Sequence, residues 1–205
     1  MIRNANLNDL NEIAKLHIES YENHFLPKLG PKLLSNYYKE FTDDSNIFLV
    51  SIDDNNKING VLLGTSASAI GRNKFIKKNK IRLTLQLLWL CLKLDKDTWI
   101  RVSRFIWSFL PIKNTKATKI TDSNKLSLKV LNILSICVSP DSKGKGVSKA
   151  LVEEFEERLN KLGYTGYKLT VHKTNSRANR FYKKIGMRIY KESDTAYGYI
   201  KQLTK

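Results

Sequence analysis

The sequence predicts an α/β (α+β) chain built on a mixed, mostly antiparallel sheet flanked by helices, and three stretches predict it. Residues 46–52 and 57–65 alternate apolar and polar positions on either side of Asp53-Asp-Asn-Asn56, the pattern of a β-hairpin. In residues 135–151 an apolar strand, a glycine turn and an amphipathic helix follow one another without a spacer. Residues 166–172 alternate again, and a short helix follows from Asn175 to a closing Gly186.

The remaining elements follow in order. Residues 1–5 read as an edge strand, and Asn6 with Asp9 three positions later reads as a cap for a helix through about Ser20. Gly30 and Pro31 punctuate a second helical stretch to about Phe41. A strand over 129–138 then leads into the glycine turn. With 205 residues and 41% hydrophobic content, the chain can bury one good core and is short for two. One domain over 1–205, interrupted by an insertion at about 67–128, is the expected organisation.

The glycine turn carries the chemistry. The first turn of a helix leaves backbone N–H groups unpaired and bears the positive end of the helix dipole. Gly144 and Gly146 strip this turn of side chains, and Lys143, Lys145 and Lys149 add positive charge, so a diphosphate suits the junction. A P-loop spacing does not occur here, and a dinucleotide fingerprint needs a third glycine where the chain has Lys149.

The hexad Lys143-Gly144-Lys145-Gly146-Val147-Ser148, with Val138-Ser139-Pro140 upstream, resembles the Arg/Gln-x-x-Gly-x-Gly/Ala signature of the GNAT family of N-acetyltransferases. Lys143 stands for the Arg or Gln and keeps the charge; Ser148 stands for the final Gly or Ala and stays small. About 30 residues on, Asn175, Ala178, Phe181, Tyr182 and Gly186 match the family's second signature in type and spacing.

The resemblance implies a GNAT fold with a splayed pair of parallel strands, and acetyl-CoA as cosubstrate. Ile136, Cys137 and Val138 would then offer the strand edge that pairs with the thioester arm. Lys143, Gly144, Lys145, Gly146, Val147 and Ser148 would hold the pyrophosphate, with Asn175 and Phe181 completing the cofactor site. The amine attacks the thioester directly in most members, so catalysis is mostly proximity and proton management. Tyr182 stands where the family places the general acid for the departing sulfur. Full transfer from a phenol of ordinary pKa about 10 to a thiolate of about 8.5 is uphill by about 2 kcal/mol, so this tyrosine must be tuned or serve as a hydrogen-bond donor. An aromatic core role beside Phe181 is the competing reading.

A base is also required, because an alkyl ammonium is only about 0.1% neutral near pH 7. His17, Glu19 and Glu22 are candidates, in the region where the family's first two helices line the acceptor site; a water chain would serve as well, and each of the three also reads as an ordinary surface or packing residue. His172, at a strand end, reads as structural. No His/Cys/Asp/Glu spacing indicates a metal, and Cys91 and Cys137 are too few for a disulfide scaffold, so they read as reduced cytosolic thiols.

The insertion is the main departure from the family's order. Residues 72–119 hold thirteen Lys/Arg against two Asp, a net +11 of the chain's formal +17, and all three tryptophans, Trp89, Trp99 and Trp107. Two helices are expected, one over 81–94, apolar nearly all round and suited to burial on several sides, and an amphipathic one over 98–110. The six-residue apolar run 87–92 falls far short of the roughly 20 residues a bilayer requires, and Met1 opens directly on a strand, so no signal peptide is expected. A lid over the acceptor pocket, a peripheral contact with an anionic membrane and a homodimer contact are the three readings of the insertion. Charge alone does not indicate a specific nucleic-acid partner. The chain thus reads as a cytoplasmic or membrane-peripheral acetyltransferase whose acceptor is a small-molecule amine, a nucleotide-linked amino sugar first and a peptide second, with a non-catalytic acyl-CoA-binding module as the alternative class.

Overall fold

The computed structural model describes residues 1–21, 24–93 and 129–203. The expected helix over 98–110, with Trp99 and Trp107, and the base candidate Glu22 lie outside these residues. The described chain runs β1 (Ile2–Asn4), a 3-10 turn (Leu7–Asp9), α1 (Leu10–Ser20), α2 (Phe25–Lys28), α3 (Gly30–Lys39), β2 (Ile47–Ile52), β3 (Ile58–Thr65), α4 (Ser68–Lys78) and α5 (Lys80–Lys93). After the insertion come β4 (Val130–Val138), a 3-10 turn (Pro140–Ser142), α6 (Val147–Lys161), β5 (Gly166–His172), α7 (Ser176–Lys184), β6 (Arg188–Glu192) and β7 (Ala196–Gln202).

The seven strands form one sheet in the order β1-β2-β3-β4-β5-β7-β6, antiparallel throughout except between β4 and β5. Helices cover both faces. Ile13, Leu34, Tyr38, Phe41 and Phe75 from α1, α3 and α4 pack with Phe48, Val50, Val61 and Leu63 on one side. Leu151 and Phe155 of α6 pack with Leu49, Leu62, Leu131 and Tyr167 on the other. Burial on both faces explains why β2 is buried from Ile47 through Ser51 rather than on alternate residues, as a hairpin with one wet face would be.

The cap expected at Asn6 is present, on the 3-10 turn that leads into α1. The Asn6 side chain accepts from the Asn8 amide at 2.9 Å, and the Asp9 carboxylate accepts from the Asn6 amide at 2.8 Å. Asp9 also takes two hydrogen bonds from Arg3, at 2.6 and 2.8 Å, which ties the edge strand to the first helix.

Two elements depart from the sequence reading. α5 is not buried on several sides: Leu90 is buried and Leu83 packs on the core, while Ile81, Leu85, Leu88 and Leu92 are exposed on the opposite side. The reason is that α5 meets the rest of the described protein along one stripe only, where Gln86 donates from Nε2 to the Lys28 carbonyl at 3.1 Å. The C-terminal hairpin β6-β7, not expected from the sequence, completes the sheet, with β7 paired to β5 along its whole length.

The Arg3 guanidinium holds the Asp9 carboxyl below the ordinary carboxylate range. A carboxyl depressed on folding contributes stability that is complete above the unfolded value of about 3.9 and is lost as the pH falls through the lower folded value. Asp9→Ala is therefore expected to cost about 1–2 kcal/mol at pH 7, and the gap from the wild type to narrow below about pH 4, in urea denaturation at the two pH values.

Candidate active site

The site begins where β4 and β5 part. Their parallel ladder holds for three pairs, Val130↔Gly166, Leu131↔Tyr167 and Asn132↔Lys168, and does not continue beyond them. On its other side β4 stays paired to β3 up to Gly60↔Val138, with an irregularity that leaves Leu134 as an extra residue in β4. The Ser139 amide donates to the Asn59 carbonyl, so by the alternation of an antiparallel ladder Cys137 faces β3 and the backbone groups of Ile136 and Val138 turn toward the gap. Two side chains at the end of α1 reach that edge. Tyr21 donates to the Ile136 carbonyl at 2.5 Å, and Ser20 donates to the Val138 carbonyl at 3.3 Å.

Beyond β4 the chain enters the glycine turn. Gly144 and Gly146 have φ of +87° and +84°, the left-handed region that side chains disfavour, and a Cβ on either would meet nothing within 4 Å. No side chain caps α6 and its first turn holds no acidic residue, so the amides of Val147, Ser148 and Lys149 are left without a helical partner. The helix is held in this place from below. At Gly60 of β3 a Cβ would collide with Val147 and Leu151, and at Gly64 with the ring of Phe155. Two missing side chains thus let α6 lie against the sheet and aim its N-terminus at the gap.

Turn, gap and α7 enclose a cleft of about 900 Å³. Of the sequence-predicted cofactor residues, Ile136, Cys137, Val138, Lys143, Gly144, Gly146, Val147, Ser148, Asn175 and Phe181 line it, as does Tyr182. Lys145 does not: it is exposed, and its amide donates to the Ser142 carbonyl at 3.3 Å. The Lys143 amide is committed as well, to the Pro140 carbonyl, so the pyrophosphate amides expected along the whole hexad narrow to the helix side of the turn. The lining also brings in Lys149, Arg177, Lys184, Lys201, Glu153 and Glu156. Glu156 is taken up by Lys201 at 2.7 Å and Tyr167 at 2.6 Å, and Glu153 by Lys149 at 3.4 Å. Lys143, Arg177 and Lys184 carry no ion pair among the described residues and leave the cleft net positive.

Asn175 caps α7, accepting from the Ala178 amide at 3.0 Å, and its own amide donates to the His172 carbonyl at the end of β5 at 3.0 Å; Asn179 holds the same strand end. The buried Asn179 amide donates to the carbonyls of His172, Lys173 and Asn175 and accepts at 3.0 Å from the Tyr199 hydroxyl. Its signal in the sequence is an amide residue on the buried side of a helix, four positions after the cap. Tyr182 lies beside it at 5% exposure, its ring against Phe181 and Tyr199. Burial pushes its phenol well above the ordinary value, so it keeps its proton at neutral pH. Burial likewise pushes the Cys137 thiol up to about 12, leaving it neutral and inert.

The base candidates fare unevenly. Glu19 is exposed and does not line the cleft. His17 is a core residue: it is 5% exposed, and Tyr38, which donates to Ser135 Oγ at 3.1 Å, accepts from His17 Nδ1 at 2.5 Å. Burial lowers its pKa to about 4, so it stays neutral as the link between α1, α3 and β4. Two other imidazoles, neither of which lines the cleft, lie beside Tyr21 and at the end of β5. His24, just before α2, has its ring 5.1 Å from Tyr21 and 6.2 Å from His172, the last residue of β5. Among the described residues no group of three or more His, Cys, Asp or Glu is placed to hold a metal, and no helix is long and apolar enough to cross a membrane.

Residues 106–187 match the model of the Acetyltransferase (GNAT) family. No curated protein matches the chain by sequence. Among solved structures, the PaiA N-acetyltransferase of Thermoplasma acidophilum in complex with coenzyme A superposes with a TM-score of 0.61 at 16% identity, over 99% of this chain and 98% of that one. The ribosomal-protein-S18-alanine N-acetyltransferase of Escherichia coli gives 0.58 at 12% identity, covering 100% and 94%. Mutant forms of the spermidine/spermine N-acetyltransferase SpeG of Vibrio cholerae give 0.55 at 12% identity, covering 98% and 93%. At these identities the likeness is one of fold.

Two substitutions test the site. Gly146→Asp puts a side chain at positive φ and a negative charge among the open amides, and is expected to weaken coenzyme A binding at least tenfold in calorimetry. Asn179→Ala removes a side-chain donor from the carbonyls of His172, Lys173 and Asn175 and the acceptor of the Tyr199 hydroxyl, and is expected to lower stability by about 2–3 kcal/mol in chemical denaturation.

Proposed function

We propose that this chain, whose residues 106–187 match the model of the Acetyltransferase (GNAT) family, is an acetyl-CoA-dependent N-acetyltransferase of that family and that its acceptor is the primary amine of a small anionic molecule, with a nucleotide-linked amino sugar as the first candidate. The enzyme transfers an acetyl group from acetyl-CoA, whose thioester supplies the activated acyl group. In the proposed arrangement the open amides of Val147, Ser148 and Lys149, with Lys143, hold the pyrophosphate. The backbone edge at Ile136 and Val138 aligns the thioester arm, and Tyr182 donates a hydrogen bond to the sulfur as negative charge develops there.

The observation that carries the acceptor reading is the seat of α5. Gln86 donates to the Lys28 carbonyl at 3.1 Å, which sets the start of the insertion against α2, the helix that follows His24, and supports a role for it on the acceptor side. Residues 68–93 contain seven Lys/Arg and no Asp or Glu, a field that draws anions and repels polyamine cations. A second reading concerns where the enzyme works. The exposed Ile81, Leu85, Leu88 and Leu92, beside Lys77, Lys78, Lys80 and Arg82, favour peripheral contact with an anionic membrane surface.

Release of free thiol from acetyl-CoA, followed over a panel of nucleotide-linked amino sugars, polyamines and peptides, tests the assignment. Turnover with the amino sugars is expected; turnover with peptides alone would reverse the ranking. Tyr182→Phe is expected to lower kcat by tenfold or more while coenzyme A affinity stays within about twofold, since the hydroxyl acts on the departing sulfur. Equal turnover would leave Tyr182 a packing role only.

A further inference from the structure

We propose that His24, paired with His172, is the proton acceptor that neutralises the incoming amine, an assignment that rests on the acetyltransferase reading of the cleft. The two rings meet edge to face, their centroids 6.2 Å apart, at the end of β5 where it has parted from β4. His172 ends β5, and its carbonyl is held by Asn179 at 3.0 Å, so its position is set by α7. His24 packs at 5.1 Å against Tyr21, whose hydroxyl rests on the Ile136 carbonyl at the open edge. The imidazole pair thus borders the point where an amine must enter to meet a thioester lying along that edge. Both histidines are exposed, so a proton taken up there passes on to water.

The electrostatics agree with the geometry. His24 titrates below the ordinary imidazole value, first because partial burial penalises its charged form and second because His172 opposes a second positive charge. It is therefore neutral and ready to accept at pH 7. The described titratable groups around it are Tyr21 and His17 of α1 and His172 of β5; Tyr21 is held protonated by burial and His17 is neutral. In the step itself, one imidazole nitrogen takes a proton from the ammonium, and the freed lone pair attacks the thioester carbonyl. The C–S bond breaks, and the sulfur leaves with the second proton of the nitrogen.

The chain has three histidines, which makes the test direct. Imidazole resonances followed by NMR are expected to show His24 titrating below the ordinary value and His17 still neutral at pH 5. In His172→Gln the His24 titration is expected to move upward while that of His17 does not. His24→Gln is expected to cut kcat/KM at neutral pH roughly a hundredfold and to remove the imidazole limb of its pH profile, with coenzyme A affinity and melting temperature unchanged. An unaltered pH profile in His24→Gln, or a His24 titration indifferent to His172, would overturn the pair as base and leave the acetyltransferase assignment standing. Coenzyme A binding by a wild-type protein that turns over no amine would overturn both.

Discussion

Every functional feature of this protein depends on the parting of β4 and β5 after three parallel pairs. A sheet interior normally satisfies its backbone groups strand against strand, and a gap there leaves peptide groups that must find other partners. Here the gap is maintained from both sides. β4 is fixed by β3 and carries an extra residue at Leu134, while β5 is fixed by β7 and, at its end, by the Asn179 contact to the His172 carbonyl. Neither strand can relax toward the other without breaking a ladder that is otherwise complete.

The chemistry set into this gap is that of groups which keep their protons. Tyr21, Tyr182 and Cys137 are all pushed up by burial, so each stays neutral across the physiological range. Such a lining offers hydrogen bonds without introducing charges that would compete with a polarised acyl group. At one end lie the cationic side chains and bare amides of the glycine turn; at the other, the imidazoles of His24 and His172 face solvent.

The glycine turn was legible in the sequence because it depends on local backbone. A glycine at positive φ and an uncapped helix start are short-range features, and Gly144 and Gly146 declare them by type and spacing. What the sequence obscured is set by long-range contact. His17 looks like a catalytic candidate until Tyr38, twenty-one positions away, is seen to engage it, and Asn179 looks like a surface residue until β5 and Tyr199 close around it. His24 and His172 are separated by most of the chain and meet only through the fold. α5 was misjudged for a related reason: an apolar composition states what a helix is able to bury, not how many neighbours are present to bury it.

The hydroxyls of Ser20 and Tyr21 have a meaning apart from catalysis. A strand edge with free carbonyls is a template on which another extended chain can add itself, and proteins guard such edges against aggregation. The Val138 and Ile136 carbonyls are engaged by these two side chains, so the edge is closed to a stray strand. Hydroxyls serve this purpose because they satisfy carbonyls without donating a backbone of their own. The resting enzyme is thereby protected at the place it must keep open to work.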